Sequence, residues 1–407
     1  MSAATPPASP APLGRPFAWL WGSATFSNLA DGLALLVLPL LALSLTDSPS
    51  LIAGVSTAFT LPWLLFGLVA GLVIDRVDRR RIILYANFAR GAVLAVICGA
   101  ALAGELSLPL LYAVAFLLGS AETFADLSGS ALVPMIVSTG NLSRANSRFE
   151  GTRVAMNNFV GGPLAGALIT LGAVAALSVP AALYLLSALT LFAIRGAYAS
   201  PRSGPMSLRA DVREGVTVVW RDPLIRLIVV MAGTLNLLHA AFMAVFIVYA
   251  VGQTAALGLS EIGYGTLLTV SAVGAVLGAL ASSRVERHWS PAVILTTSVL
   301  INAVFFVVCA LVPNVFAVGA AFFASTFATG IVNVIIVTIR QKAIPTHLMG
   351  RVLAAARLVV FGTRPLGALL GGLLAGASSP RTLFLVLAVA SLPVMLLTVR
   401  VPGDANS

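Results

Sequence analysis

From Pro16 onward the chain passes through one long apolar stretch after another, with only a few polar residues between them. A helix that crosses a bilayer needs about 20 mostly apolar residues. Stretches that meet this need fall at 16–46, 50–74, 82–103, 107–136, 149–172 and 175–197. A second set falls at 223–251, 261–283, 291–312, 314–338, 351–376 and 381–399. The expectation is an all-α membrane protein with 12 transmembrane helices, six plus six. Composition agrees, with 59% hydrophobic and 9% charged residues. A soluble domain carries about 25% charged residues, so this chain has too few to coat a water-facing surface.

The basic residues set the orientation. Of the 24 Lys and Arg residues, Arg381 alone lies in a loop on the side opposite the N-terminus. Arg90, Arg153, Arg357 and Arg364 lie within spans, and the others collect on the N-terminal side. Cytoplasmic loops carry the Lys/Arg excess, so both termini are expected in the cytoplasm of a multi-pass plasma-membrane protein. The net charge of +10 then records topology, and nucleic acid is not expected as a partner. Trp19, Trp21, Trp220 and Trp289 fit an aromatic belt at the cytoplasmic interface, and Trp63 lies deeper. Cys98 and Cys309 sit inside apolar spans and read as small buried hydrophobes.

The N-terminal "MSAATPPASPAPLG" reads as disordered, without the pattern of a cleaved signal peptide. The expected organisation is a cytoplasmic tail over 1–15 and a first bundle over 16–200. A cytoplasmic linker follows over 201–222, with Val212, Val216, Val219 and Trp220 at helical spacing suited to the headgroups. A second bundle covers 223–400 and a short tail 401–407.

The two halves echo one another. "GLVAGLVIDRVDRR" near the end of the second span matches "GAVLGALASSRVERH" near the end of the eighth, and "VGGPLAGAL" in the fifth matches "TRPLGALLGG" in the eleventh. Glycines four apart share a helix face and allow close helix approach. Gly67/Gly71, Gly162/Gly166, Gly274/Gly278 and Gly367/Gly371 supply this in all four spans. Two pseudo-symmetric six-helix bundles meeting through these helices are expected, the repeat plan of secondary transporters.

"GLVIDRVDRRR" resembles the loop signature between helices 2 and 3 of the major facilitator superfamily. Gly71, Asp75, Arg76, Arg79 and Arg80 match it, while Asp78 stands where that family prefers Gly. "SALVPMIVSTGNLSRAN", "GGPLAG" and "RQKAIPTHLMGRVLAAARL" are similar to its macrolide, multidrug and siderophore exporter branch. Gly162-Pro163-x-x-Gly166 partly resembles an element of drug/proton antiporters, with Ala167 and Asn158 departing from it. The resemblance implies that the loop residues latch one bundle to the other in the outward-open state. It also implies that helices 1, 4, 7 and 10 line a central cavity, with no cofactor and a monomer as the working unit.

Ionisable groups at mid-span cost several kcal/mol to insert, so they mark function by default. Asp31 lies in the first span, and Glu122 and Asp126, four apart and on one face, lie in the fourth. Arg364 lies in the eleventh, with Asn28, Asn236 and His239 at similar depth. The resemblance places Asp31, Glu122, Asp126 and His239 around one water-filled site. Low dielectric disfavours a charged carboxylate, so such an acid can take a proton from one face and release it at the other. Competition between proton and substrate would then give antiport, with Asp31 and Glu122 as first candidates. Arg364 is open between pairing with Asp31 and binding an anionic substrate. Arg90, Arg153 and Arg357, near the cytoplasmic ends, are expected to snorkel as anchors.

The function expected is proton-coupled export of a lipophilic small molecule. The alternative is movement of an anionic metabolite, siderophore or lysolipid through Arg364. An enzyme is not expected. There is no H-E-x-x-H, G-x-S-x-G or Walker loop, and His239, His288 and His347 lie far apart in sequence. No metal site is expected.

Overall fold

The computed structural model describes residues 13–199, 217, 219–252, 255–343 and 349–398. The expected tails and most of the expected linker helix lie outside the described residues. Among the described residues, eleven helices are long and apolar enough to cross a membrane. In the first half these belong to α1 (Arg15–Leu43), α2 (Pro49–Arg76), α3 (Arg79–Leu102), α4 (Leu108–Ile136) and α7 (Ala173–Leu191). Between α4 and α7 stand α5 (Leu142–Val154), a π-helical stretch (Ala155–Val160) and α6 (Gly161–Thr170), end to end. The second half holds α8 (Pro223–Ala250), α9 (Glu261–Val285), α10 (Pro291–Leu311), α11 (Val315–Ala343), α12 (Met349–Ala377) and α13 (Pro380–Thr398).

Local sequence explains where the helices start and stop. Proline opens α1, α2, α4, α8 and α10, where its missing N–H costs nothing. Asp222 Oδ1 caps α8 by accepting from the Leu224 and Ile225 amides at 2.9 and 3.0 Å. Gly172, at φ +107°, lets the chain turn from α6 into α7. The expected span at 82–103 begins earlier, at Arg79, because Asp78 Oδ1 accepts from the Arg81 amide at 3.2 Å and caps α3. The arginines placed in a loop thus form its first turn.

In the first half α1 and α3 pack on α7, and α4 packs on α2 and α3. In the second, α8 packs on α12, α9 on α11, and α10 on α13. The halves meet where α2 lies on α12 and α6 on α9, the four helices that carry the repeated glycines. A Cβ on Gly166 would stand 2.5 Å from Glu261 O, and one on Gly265 would stand 2.4 Å from Gly162 O. Those backbones touch.

Elsewhere the glycine expectation needs correction. Around Gly67 and Gly71 nothing lies within 4 Å of an added Cβ, so they close no interface in this conformation. Gly274 and Gly278 face Phe323 and Phe327 of α11, and Gly367 and Gly371 face Leu237 and Ala241 of α8, inside their own half. Gly372 and Gly376 do the joining instead, against Ala53 and Ser50 of α2. The register moved by one residue because the face of α12 carrying Gly367 and Gly371 is already taken by α8.

The close contacts at 50/376, 53/372, 162/265 and 166/261 all lie near the helix ends remote from the N-terminus of α1. On that side a core of Phe242, Phe246, Phe305, Phe306, Phe322 and Phe384 holds the second half together, with Phe242 stacked on Phe246 at 4.6 Å. The glycines at the other end of α2 stand clear. The glycine contacts between the halves gather at one face, and the Trp63–Phe361 pair carries the contact on to mid-span.

Packing this close predicts a clear mutational contrast. A Cβ on Gly278 would fall 1.9 Å from Phe327 O, and backbone cannot rotate away. Gly278→Ala is expected to cost about 1–3 kcal/mol through overpacking, seen as a lower melting temperature in detergent. Gly99→Ala, with nothing within 4 Å, should melt like the parent.

Candidate functional site

Three helices of the first half carry polar stripes in otherwise apolar sequence. Ser23, Ser27 and Asp31 follow at four-residue steps on α1, Asn87 and Arg90 are three apart on α3, and Tyr184 and Ser187 are three apart on α7. Each set shares a helix face, and lipid offers it no partner. The stripes therefore turn inward and satisfy one another.

Ser23 Oγ and Ser187 Oγ lie 2.9 Å apart, and Asn87 Nδ2 donates to Ser187 Oγ at 2.8 Å. Arg90 Nη2 donates to Asn87 Oδ1 at 2.5 Å and to Ser27 Oγ at 3.2 Å. Its Nη1 donates to Asp31 Oδ1 at 2.6 Å. The Tyr184 hydroxyl donates to the same oxygen at 2.7 Å, and the Tyr184 ring centroid lies 4.5 Å from the guanidinium carbon. The Arg90 side chain is 1% exposed and that of Asp31 12%.

This corrects two expectations. Arg90 does not snorkel as an anchor: its partners hold it in the interior. Asp31 pairs with Arg90, not with Arg364. Arg153 pairs with Glu150, one turn earlier on α5, and the Arg357 side chain lies outside the described residues.

Glu122 has a different environment. Its helix, α4, packs on α1 and α3, and its Oε2 is closed off from solvent with no hydrogen-bond partner. Arg90 Nε is likewise buried and without one. The charges of Asp31, Arg90, Asp126 and Arg364 all act on Glu122. Asp126, one turn on, is exposed. Glu122 therefore stands between the buried network and the second half.

On that second half Arg364 is exposed yet fixed. Its Nε donates to Asn236 Oδ1 at 3.2 Å, and its guanidinium lies 4.7 Å from the Phe361 centroid. Phe361 stacks on Trp63 of α2 at 5.3 Å, so an aromatic pair bridges the halves beside the charged groups. His239 is exposed one turn after Asn236 and feels the charge of Arg364. The amides of Asn28 and Asn236 donate back to Ala24 O and Ala232 O, at 2.7 and 3.0 Å, on their own helices.

At the loop between α2 and α3, Asp78 Oδ2 accepts from the Tyr198 amide at 2.9 Å. Arg80 Nε donates to Leu191 O at 2.8 Å. Both contacts stay within the first half. Arg79 Nη1 approaches Met135 Sδ at 2.6 Å, Arg76 is exposed, and the Asp75 side chain lies outside the described residues. Asp78 therefore ties the loop to the chain beyond α7, a bond that Gly at this position lacks. Pro163 stands between the contact glycines Gly162 and Gly166 on α6.

Asn87, Tyr184 and the three serines were missed, and Arg90 was taken for an anchor. Their three- and four-residue spacing inside apolar runs was the available signal.

The family model of the Major Facilitator Superfamily matches residues 20–363 and 256–406. The chain is 27% identical over 388 residues to multidrug efflux pump Tap of Mycolicibacterium fortuitum, covering 93% of this chain and 92% of Tap. Among solved structures it is similar to a bacterial homologue of the iron transporter ferroportin in its inward-facing state. There the TM-score is 0.73 at 17% identity, covering 95% of this chain and 98% of that one. The POT family transporter PepTSo gives a TM-score of 0.73 at 13% identity, covering 94% and 97%. The chain belongs to the major facilitator superfamily, a family of membrane transporters and not of enzymes.

Proposed function

We propose that this chain is a secondary active transporter that exports a lipophilic small molecule by proton antiport and alternating access. The observation that carries the reading is the buried, unpartnered Oε2 of Glu122. A carboxylate without hydrogen bonds in low dielectric is costly, and protonation relieves most of that cost. Asp31, by contrast, is held by Arg90 and Tyr184. Glu122 is therefore the proton carrier and Asp31 its fixed neighbour. Asp126, His239, Asn28, Asn236 and Arg364 surround the transport path, with Trp63 and Phe361 as its apolar wall.

Leu142–Thr170, broken by its π stretch, counts as one further span, which completes 12 in two six-helix bundles over 16–200 and 223–400. Both termini face the cytoplasm of the plasma membrane, and one copy is the working unit. The face remote from the glycine contacts is then cytoplasmic. Gly71, Asp75, Arg76, Arg79 and Arg80 latch that face when it closes. Similarity to proteins named as multidrug efflux pumps supports outward transport.

A second reading rests on Arg364, whose exposed guanidinium between Asn236 and Phe361 suits an anionic metabolite, siderophore or lysolipid. The test uses liposomes with a trapped pH dye and a panel of lipophilic cations, macrolide-like neutrals and organic anions. Under the first reading one lipophilic class drives proton flux, and Glu122→Gln abolishes the flux. Movement of labelled anions without proton flux, lost in Arg364→Gln, would establish the second.

A further inference from the structure

Two orphaned groups stand on neighbouring helices. Arg90 Nε is a buried donor with no acceptor, and Glu122 Oε2 is a buried acceptor with no donor. They sit on α3 and α4, which pack on one another, and each acts on the other's charge. Arg90 meanwhile spends Nη1 and Nη2 on Asp31, Asn87 and Ser27. A guanidinium carries five N–H donors, and here both terminal nitrogens are engaged while the Nε–H has no acceptor.

We propose that Arg90 is the positioning residue of the proton step: when Glu122 gives up its proton, its carboxylate turns onto the free Nε–H of Arg90. The proton leaves Glu122 for water on the open side, and no other bond breaks. Arg90 keeps Asp31 throughout, so one buried cation serves a permanent carboxylate and a transient one. Pairing converts a bare buried charge into a hydrogen-bonded one, which makes deprotonation affordable inside the protein. It also draws the Glu122 side chain of α4 towards α3 and away from Arg364. Loss of the proton thereby loosens an electrostatic tie between the halves.

The other charged groups that act on Glu122 must be separated from Arg90. They are Asp31 on α1, Tyr184 on α7, Asp126 on α4, Arg153 on α5 and Arg364 on α12. Of these, only Arg153 and Arg364 offer an alternative cation. Arg153 is occupied by Glu150 through two hydrogen bonds, and Arg364 belongs to the other half. Both are exposed, whereas the Nε of Arg90 is buried.

This inference rests on Glu122 as the proton carrier, and infrared spectroscopy tests the two separately. Full-length protein carrying isotope-labelled arginine guanidinium groups is reconstituted in lipid and titrated without substrate. In the parent, an acid C=O band that Glu122→Gln removes should disappear as pH rises. Its loss should coincide with a shift of the labelled guanidinium band. That shift should be absent in Glu122→Gln and in Arg90→Lys, and present in Arg364→Lys and Arg153→Lys.

An acid band that vanishes with no guanidinium shift overturns the Arg90 role while leaving Glu122 as carrier. A shift lost in Arg364→Lys or Arg153→Lys assigns the partner elsewhere and overturns it too. Absence of any acid band sensitive to Glu122→Gln removes the carrier and the inference together. Should Arg90→Lys fail to fold, the parent, Glu122→Gln, Arg364→Lys and Arg153→Lys still decide the matter.

Discussion

Arg90→Met is expected to destabilise the protein by about 3–5 kcal/mol, as removal of one partner from a buried ion pair does. The side chain is 1% exposed, and its guanidinium is shared among Asp31, Asn87 and Ser27. Methionine fills much of the volume, so the loss is electrostatic: the Asp31 carboxylate is left with only Tyr184 to donate to it. Asp31→Asn in the Arg90→Met background removes that stranded charge and should recover part of the loss. The check is a set of melting curves in detergent for both single variants and the double, read as a double-mutant cycle. Additive losses would mean that the pair does not act as a unit. The same variants separate stability from transport, since Asp31→Asn alone leaves Glu122 in place.

Gly265→Val is expected to leave each half folded and to lower transport at least about tenfold, a barrier change of about 1.4 kcal/mol. A Cβ at this position would lie 2.4 Å from Gly162 O and 3.0 Å from the Pro163 nitrogen. The branched side chain pries α6 from α9 at the face where the halves meet. The Arg90 network lies elsewhere, and Tyr264 beside Gly265 keeps its contact with Phe246 inside the second half. Spin labels at Leu171 and Phe316, both exposed and placed in a background lacking Cys98 and Cys309, report the separation. The distance should widen in Gly265→Val. An unchanged distance with normal transport would mean that the glycine contact plays no part in closing that face.

Span positions were legible because apolar length alone decides them. α8 was expected from 223 and runs over Pro223–Ala250, and α10 was expected from 291 and runs over Pro291–Leu311. The fifth span was less legible, since the π stretch at Ala155–Val160, whose Asn157 backbone lies against Gly32, has no local signature. Small-residue spacing showed which helices meet, but not which glycines touch. Gly367 and Gly372 occupy different faces of one helix, and only the position of α8 decides which face is free.

The candidate site divides in the same way. Asp31, Glu122 and Arg364 stood out because mid-span charge is rare. Their partners did not, because pairing is a tertiary fact. Arg90 lies near enough to a helix end to pass for a snorkelling residue, and its neighbours Asn87 and Tyr184 are ordinary in composition. A search for polar stripes at helical spacing would have brought the three sets together.

Glu122 is the proposed coupling group, with Asp31 held by Arg90 as its fixed neighbour. The most direct measurement compares substrate exchange with proton-driven accumulation in the same liposomes for Glu122→Gln. The expected result is exchange at the parental rate with accumulation lost, because a neutral side chain can change face without carrying a proton. Accumulation that persists in Glu122→Gln would contradict the claim and place the coupling proton on another group.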